Sequence, residues 1–152
     1  MVRRIAILPS VKVLKDSEGI ELPRYESKGA SGMDLRAFLE NDVVIEPLGR
    51  VKIPTGLKIE IPKGYEAQIR PRSGLALKYG ITVLNSPGTI DSDYRGPLEI
   101  ILVNLGNESF SVKNGERVAQ LVISKVCRVR FKRVQALSVT RRSQGGFGST
   151  GR

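Results

Sequence analysis

The stretch Leu57-Lys58-Ile59-Glu60-Ile61 alternates apolar and charged side chains. Because successive side chains of a β-strand point to opposite faces, this period of two predicts a strand with one buried face. A second stretch, Leu98-Glu99-Ile100-Ile101-Leu102-Val103-Asn104-Leu105, is almost entirely apolar and predicts a strand that is covered on both faces. Both stretches favour a β-rich fold.

Outward from these two stretches, short runs of β-type residues recur between glycines and prolines. They predict further strands at residues 5–13, 43–45, 66–70 and 117–126, the last continuing to residue 131. Only residues 73–79 have a helical pattern. Many short strands separated by turn residues predict an all-β, jelly-roll-like barrel or sandwich with one short helix. We interpret residues 1–152 as a single domain, with a β core to about residue 140 and a flexible Gly-rich C-terminal arm over about residues 141–152.

The composition is typical of a soluble globular protein, with 40% hydrophobic and 26% charged residues. No apolar run approaches the ~20 residues that a membrane-spanning helix needs. The N-terminal residues show a basic start but no signal-peptide pattern. We therefore expect a cytoplasmic location.

The sequence has no histidine and one cysteine, Cys127, for which we expect a buried position. These absences exclude nucleophilic catalysis with a histidine base, an intrachain disulfide, and zinc sites built from His or Cys. An enzyme of this composition needs a carboxylate, a lysine or a tyrosine as its base, and its metal must accept oxygen ligands.

The formal net charge is +10, and much of the excess falls in one segment. Seven basic residues and no acidic residue lie between positions 125 and 142: Lys125, Arg128, Arg130, Lys132, Arg133, Arg141 and Arg142. A basic protein attracts polyanions, so nucleic acids and polyphosphates are both candidate partners. The segment is either a solvated basic face or, in part, a phosphate-binding surface.

Five segments carry polar residues that ordinary strands and turns do not require. In the first, Ala30-Ser31-Gly32-Met33-Asp34-Leu35-Arg36-Ala37, an acid follows a glycine at the entry to a strand, which is also ordinary turn chemistry. In the second, Pro71-Arg72-Ser73-Gly74-Leu75-Ala76, free backbone N–H groups, a hydroxyl and a guanidinium suit a phosphate. Simple capping of the helix by Ser73 is the alternative there.

The third segment, Val83-Leu84-Asn85-Ser86-Pro87-Gly88-Thr89-Ile90-Asp91-Ser92-Asp93-Tyr94-Arg95-Gly96, contains two short apolar runs and predicts a hairpin. The unpaired backbone groups of an open hairpin can bind the edge of a planar base. Asp91 and Asp93 follow directly, and in a chain without histidine either carboxylate is a candidate general base for a water molecule. An exposed acidic turn is the alternative.

In the fourth segment, Gly115-Glu116-Arg117-Val118-Ala119-Gln120-Leu121, the polar residues Arg117 and Gln120 lie at the start of an apolar strand. The fifth, Arg142-Ser143-Gln144-Gly145-Gly146-Phe147-Gly148-Ser149-Thr150-Gly151, carries one aromatic residue among glycines. Glycines permit close approach of a backbone to phosphates. Because Phe147 has no apolar neighbours, it suits a lid that stacks on a base better than a core; a disordered tail is the alternative.

These five segments, in this order and at these separations, resemble the five motifs of the trimeric dUTPase family, the deoxyuridine 5'-triphosphate nucleotidohydrolases, over about residues 30–151. The resemblance implies hydrolysis of dUTP to dUMP and pyrophosphate, which limits uracil incorporation into DNA and supplies dUMP for dTMP synthesis. It also implies a β jelly roll, Mg²⁺ as cofactor, and a homotrimer whose three sites each contain residues of all three subunits. We expect no membrane partner and no specific nucleic acid.

The resemblance further implies a role for each site residue. Asp91 would orient and deprotonate the attacking water, and Asp34, supported by Arg117, would act on the water shell of a Mg²⁺ held mainly by the substrate phosphates. Tyr94 would pack under the deoxyribose and Phe147 would stack on the uracil. The residues implied in binding the uracil edge are Asn85, Gly88, Thr89 and Ile90, with Glu99 contributing its backbone. The residues implied in phosphate binding are Arg72, Ser73, Gly74, Gln120, Arg142, Gly148 and Ser149.

The fifth segment departs from the family pattern at Ser143, where a glycine is usual. If the backbone there needs a positive φ, serine costs about 1 kcal/mol or more. In that case Arg141 is a possible substitute for Arg142 at the γ-phosphate.

Three other functions are compatible with parts of the sequence. A dCTP deaminase-like or bifunctional enzyme has a similar fold and a related third motif, but the position of its catalytic glutamate corresponds here to Ile101. A basic nucleic-acid-binding module would explain the charge, although no cluster of aromatic residues provides a stacking platform. A catalytically inactive regulatory relative would be expected to lose polar motif residues that this chain retains.

Overall fold

The computed structural model describes residues 8–146, and within them the chain is built almost entirely of short strands. In chain order the elements are β1 (Lys12–Lys15), β2 (Met33–Arg36), β3 (Val43–Ile45), β4 (Arg50–Glu60), β5 (Tyr65–Arg70), α1 (Ser73–Tyr79), β6 (Ile81–Val83), β7 (Gly88–Ile90), β8 (Pro97–Asn104), β9 (Phe110–Val112) and β10 (Arg117–Lys125). The predicted all-β class with one short helix is confirmed.

The strands form three antiparallel sheets. The first has the order β1-β4-β8-β6, the second β2-β10-β5-β7, and the third contains only β3 and β9. Neighbours in a sheet are mostly distant in sequence, which is the jelly-roll-like arrangement expected from many short strands with long connections.

Apolar side chains of all three sheets meet in one core cluster. Leu57, Ile59 and Ile61 are buried while Lys58 and Glu60 are partly exposed, so the predicted period of two is confirmed. Strand β4 pairs with β8 along most of its length, and Ile53 and Leu102 from this pair are fully buried. This pair of long strands therefore forms the centre of the first sheet, as the two apolar stretches indicate.

Gly56 makes a break in β4 possible. Its φ is +68°, and the register between β4 and β8 shifts between Pro54 and Lys58. A Cβ at residue 56 would lie 3.0 Å from the ring of Phe38 and still closer to Ile20. Since only glycine adopts this φ without cost and leaves this space, the bulge at residue 56 requires it.

Several predicted strand limits are wrong. Strand β1 begins at Lys12, whereas residues 8–11 form no strand, and residues 5–7 of the predicted segment 5–13 lie outside the described residues. Strand β10 ends at Lys125 instead of continuing to residue 131. Strand β8 is not covered along its whole length, because Ile101 is 36% exposed in the single chain.

The predicted hairpin of the third segment is also wrong in its pairing. Strand β6 pairs with β8 in the first sheet, whereas β7 pairs with β5 in the second. The two strands therefore diverge from the turn at Leu84–Pro87 into different sheets, and the turn spans the gap between them. The physical reason is that each strand finds a longer partner than the other three-residue strand of a hairpin would be, since β8 has eight residues and β5 has six.

After β10 the chain leaves the sheets. Residues 126–146 contain neither helix nor strand, and nearly all of their side chains are exposed. Cys127 is among them, so the prediction of a buried cysteine is wrong because the strand that would bury it has already ended. No helix within residues 8–146 is long and apolar enough to cross a membrane.

Candidate active site

Asp34 on β2 lies at the centre of a polar cluster that joins three of the sequence segments. Arg117 Nη1 lies 3.2 Å from Asp34 Oδ2, and Arg72 Nε lies 3.3 Å from Oδ1. The amide of Gln120 donates a hydrogen bond to Oδ1 at 3.3 Å. The Asp34 side chain is only 10% exposed, so these donors hold a nearly buried carboxylate in one orientation.

The strand register explains why these residues meet. Gln120 and Asp34 are opposite each other in the β2–β10 pair, and directly opposed residues place their side chains on the same face. The contact of Arg117 with Asp34, which the family resemblance implied, is present. The ion pair of Arg72 with Asp34 is one that sequence reasoning missed.

Arg72 also connects this cluster to the helix. Its Nη1 donates to the backbone oxygen of Arg117 at 2.8 Å, and it occupies the N-cap position of α1. Ser73 is the first helical residue and makes no capping hydrogen bond, so the capping alternative is wrong. Ser73 and Gly74 are exposed beside Arg72, where their hydroxyl and backbone N–H groups are accessible.

The turn between β6 and β7 forms a second group of predicted residues. Asn85, Gly88, Thr89, Ile90 and Glu99 all line a small cavity of about 30 Å³ between the two sheets. A Cβ at residue 88 would lie 3.3 Å from Asn85 Nδ2 and equally close to Ile69. Glycine at this position therefore lets the Asn85 amide approach the backbone of β7.

A larger cavity of about 230 Å³ lies next to the small one. Thr89, Ile90 and Glu99 line both cavities. Asp91 and Tyr94 line its other side, and both are exposed. Asp93 is exposed as well but does not line this cavity. Of the two carboxylates that the sequence left open, Asp91 is the one at the cavity.

Tyr94 is folded back over the chain that follows it. Its hydroxyl donates to the backbone oxygen of Pro97 at 3.1 Å. The ring lies so close to Gly96 that a Cβ there would come within 2.9 Å of Cε2. The ring thus has a defined position at the cavity, and Gly96 provides the space for it.

Two further residues of this cavity escaped the sequence reasoning. Lys52 of β4 lines it, and Lys52 Nζ lies 3.0 Å from Glu99 Oε2. Ile101 lines it too, because its side chain faces outward from β8. The pairing of β4 with β8 brings these residues together, and the only signal in the sequence is that both strands are long and apolar.

The two clusters lie at opposite edges of one sheet. Asp34 is on edge strand β2 and Thr89 on edge strand β7, with β10 and β5 between them. Three strand spacings correspond to about 14 Å. None of the cavities described above contains residues of both clusters, so one chain holds the two parts of the predicted site apart.

The predicted residues of the fifth segment fall partly outside the described residues. Phe147, Gly148 and Ser149 lie beyond residue 146. Arg142 is exposed, and its Nε donates to the backbone oxygen of Gly145 at 2.9 Å. Ser143 has a φ of +41°, and its N–H and hydroxyl donate to Thr140 Oγ1 and Thr140 O at 2.9 and 2.6 Å. The condition under which serine is strained at this position, a positive φ, is therefore met.

Metal binding by protein side chains alone has little support in this chain. Within residues 8–146, no group of three or more His, Cys, Asp or Glu side chains could hold an ion. Among the residues that the structure describes, only Arg117 donates to Asp34 Oδ2, so this oxygen has a lone pair left for a water molecule. Such a donor set fits Mg²⁺ only where phosphate oxygens and water supply most of its ligands.

The fold and the site define an all-β protein with a polar cluster around Asp34 at one sheet edge and two adjoining cavities at the other. The chain belongs to the dUTPase family, whose model matches residues 18–151. This confirms the family and the enzyme class that the five motifs predicted.

Individual relatives agree with this assignment. The deoxyuridine 5'-triphosphate nucleotidohydrolase of Treponema pallidum subsp. pallidum is 58% identical over 134 residues, covering 88% of this chain and 92% of its own. Among solved structures, a mutant dUTPase of Staphylococcus bacteriophage 80alpha with dUpNHpp has a TM-score of 0.84 at 27% identity, covering 94% of this chain and 99% of that one. A mutant dUTPase of phage phi11 of S. aureus, described with a structural Mg(II) ion, has a TM-score of 0.74 at 25% identity, covering 84% and 97%.

Proposed function

We propose that this chain hydrolyses dUTP to dUMP and pyrophosphate, with water as the nucleophile and Mg²⁺ on the substrate phosphates. The observation that carries the proposal is the position of Asp91 and Tyr94 on one cavity of about 230 Å³, in a chain of the dUTPase family. The solved relative with dUpNHpp supports a deoxyuridine nucleotide as the ligand.

The nucleoside would bind where β6 and β7 diverge. Asn85 and the backbone of Gly88, Thr89 and Ile90 would bind the uracil edge in the narrow part of the gap, which has room for about 30 Å³. Thymine would add a methyl group in this narrow space, and cytosine would present a donor and an acceptor in reversed positions, so uracil is the base that would fit. Tyr94, held by its bond to Pro97, would pack on the deoxyribose where a 2'-hydroxyl would collide.

Asp91 would act as the general base. Its carboxylate would accept a proton from water while the water oxygen bonds to the α-phosphorus, and the bond from the α-phosphorus to the bridging oxygen would break to release pyrophosphate. Asp91 is better placed for this than Asp93 because only Asp91 lines the cavity. The protein supplies mainly position and charge neutralisation, as is usual for phosphoryl chemistry.

The phosphates would be bound by the cluster around Asp34. Arg72, Ser73, Gly74 and Gln120 offer guanidinium, hydroxyl, backbone N–H and amide donors within one region. Mg²⁺, when bound, would neutralise the charge of the triphosphate, and Asp34 would hold part of its water shell. Arg117 and Arg72 keep that carboxylate oriented. Arg142, Gly148 and Ser149 would add further phosphate contacts, and Phe147 would stack on the uracil.

A homotrimer with shared sites would bring the two clusters together. On one chain they lie at opposite sheet edges, separated by two strands. The segment after β10 carries apolar side chains that no surface within residues 8–146 covers, since Phe131 is 99% exposed and Val139 92%. Large exposed apolar side chains mark an interaction surface. Contact of this segment with a neighbouring copy would bury these apolar side chains and would also carry the fifth segment to another subunit's site.

The cytoplasmic location expected from the sequence stays a prediction.

The experiment that tests the proposal measures pyrophosphate release from dUTP, dCTP, dTTP and UTP in parallel with Mg²⁺ present. We expect kcat/KM for dUTP to exceed that for each other nucleotide by at least about a hundredfold, because a site that fits one pattern of hydrogen bonds leaves polar groups unpaired with the others. Comparable kcat/KM values for dUTP and UTP would contradict the proposal.

A further inference from the structure

The segment that follows β10 carries an unusual share of the chain's charge. Together with Lys125, the last residue of β10, it contributes seven basic residues and no acid between positions 125 and 142, which accounts for seven of the net ten positive charges. None of these seven side chains forms an ion pair with an acid of the described part of the chain, whereas Lys12, Lys52 and Lys58 of the body do. The segment therefore exposes a concentrated positive field that internal pairing does not reduce.

The basic residues alternate with apolar ones. Arg128, Arg130 and Lys132 occupy even positions, and each is preceded by an apolar residue at an odd position: Cys127, Val129 and Phe131. In an extended chain, alternate side chains point to opposite faces and repeat about every 6.6 Å along each face. An apolar face that covers a neighbouring subunit would leave the three cations in a row on the outer face.

We propose that the row formed by Arg128, Arg130 and Lys132 binds the phosphate backbone of nucleic acid without reading its bases. The row matches a polyanion because its side chains are exposed and form no ion pair within residues 8–146, and because an extended chain would space its charges regularly. Two of its three members are arginines, whose planar guanidinium groups bind phosphate oxygens with two parallel hydrogen bonds. The residues proposed for dUTP hydrolysis do not include these three.

This inference does not depend on the proposed hydrolysis. The three cations belong to none of the five motif segments, and their ligand is a polymer of phosphodiesters. The arginine fork fits carboxylates as well as phosphates, so the choice of nucleic acid rests on the row of charges, because a phosphodiester backbone carries its charges at regular intervals along the chain itself.

The test uses fluorescence anisotropy of a labelled oligothymidylate, which contains no uracil, with the full-length protein. The variant Arg128→Gln/Arg130→Gln/Lys132→Gln removes the row. The matched control Lys28→Gln/Lys63→Gln/Lys113→Gln removes the same charge from exposed positions of the body that make no ion pair within residues 8–146. Light scattering and dUTP hydrolysis are measured on each protein, and both are expected to match the unmodified chain.

We expect the row variant to lose affinity for the oligonucleotide at least about tenfold at low salt, and the control to lose less than about threefold. The slope of log K against log salt should fall by about 2 in the row variant, because each single-strand phosphate contact contributes about 0.7. A second variant, Arg128→Lys/Arg130→Lys, keeps the charges and should keep the slope.

Three results would overturn the inference. The first is an equal loss of affinity for the oligonucleotide in the row variant and the control, which would indicate that net charge alone determines binding. The second is loss of the slope in the charge-preserving variant. The third is binding of polyglutamate of equal charge as tightly as the oligonucleotide, which would indicate an acidic polypeptide as partner.

Discussion

Asp34 shows how far single residues could be predicted from the sequence. The acid, its supporting Arg117 and nearby Gln120 could be named because each belongs to a motif with a characteristic order. The contact of Arg72 with Asp34 could not, because it depends on where α1 begins relative to β2, and that distance is set by the pairing of β5 with β10. Motifs therefore identify the polar residues, while the strand register decides which of them touch.

Asp91→Asn tests the assignment of the general base. Asparagine keeps the size of the side chain but cannot accept the proton, so kcat for dUTP should fall by ~10²-fold or more while binding changes little. Steady-state kinetics and the Kd of dUpNHpp measure the two effects separately. Asp93→Asn is the matched control, because Asp93 lies two residues away and does not line the cavity. If Asp93→Asn lost activity and Asp91→Asn kept it, the base would be Asp93.

Ser143 has a backbone conformation that favours glycine, and its side chain compensates through bonds to Thr140. Ser143→Gly should remove a cost of about 1 kcal/mol in the arm and leave kcat equal or higher. Ser143→Ala keeps the strained φ and loses the hydroxyl, so we expect it to be less active than the glycine variant. The kcat of both variants with dUTP is compared with that of the unmodified chain; a lower kcat of Ser143→Gly than of the unmodified chain would give the serine hydroxyl a role of its own.

At the scale of elements, the sequence predicted individual strands and the helix where a local pattern of side chains determines them. The alternation at residues 57–61 and the helix at residues 73–79 follow from local patterns, and both are present. The divergence of β6 and β7 does not, because two short apolar runs around a turn look the same whether they pair with each other or with separate sheets. The gap that this divergence opens is the proposed base pocket, so the error concerned the geometry that matters most for binding.

The bulge in β4 provides a stability test at this scale. Gly56→Ala combines a positive φ with contacts to Ile20 and Phe38, so we expect a loss of about 2 kcal/mol or more in the free energy of unfolding. Gly64→Ala is the control, because Gly64 also has a positive φ, of +89°, but a Cβ there meets nothing within 4 Å. Denaturant unfolding at one fixed protein concentration measures both variants. Equal losses would show that contacts around Gly56 contribute nothing.

At the scale of the whole molecule, a single chain leaves features that its own fold does not explain. Its proposed base pocket and its proposed phosphate-binding cluster are apart, and nearly all side chains of residues 126–146 are exposed. The expectation of a shared site came from the resemblance of the motifs, since no periodicity or composition in one chain reveals which copy a residue will serve. The exposed Cys127 illustrates the same point: a pattern that predicts burial cannot say whether the covering surface belongs to the same chain.

Subunit mixing tests this shared arrangement directly. A chain that lacks residues 142–152 should bind dUTP with modest loss but have a much reduced kcat, because closure of the arm would position the triphosphate. An Asp91→Asn chain should also be nearly inactive.

The mixing experiment refolds these two chains together in equal amounts. If each site takes Asp91 from one subunit and the arm from another, one site in four draws both parts from intact chains, so about a quarter of the sites should be active. Pyrophosphate release by the mixture, against each chain refolded alone, measures this, and light scattering should give a trimer of the 16.7 kDa chain. A mixture no more active than the sum of its parts would mean that each site takes Asp91 and the arm from the same chain.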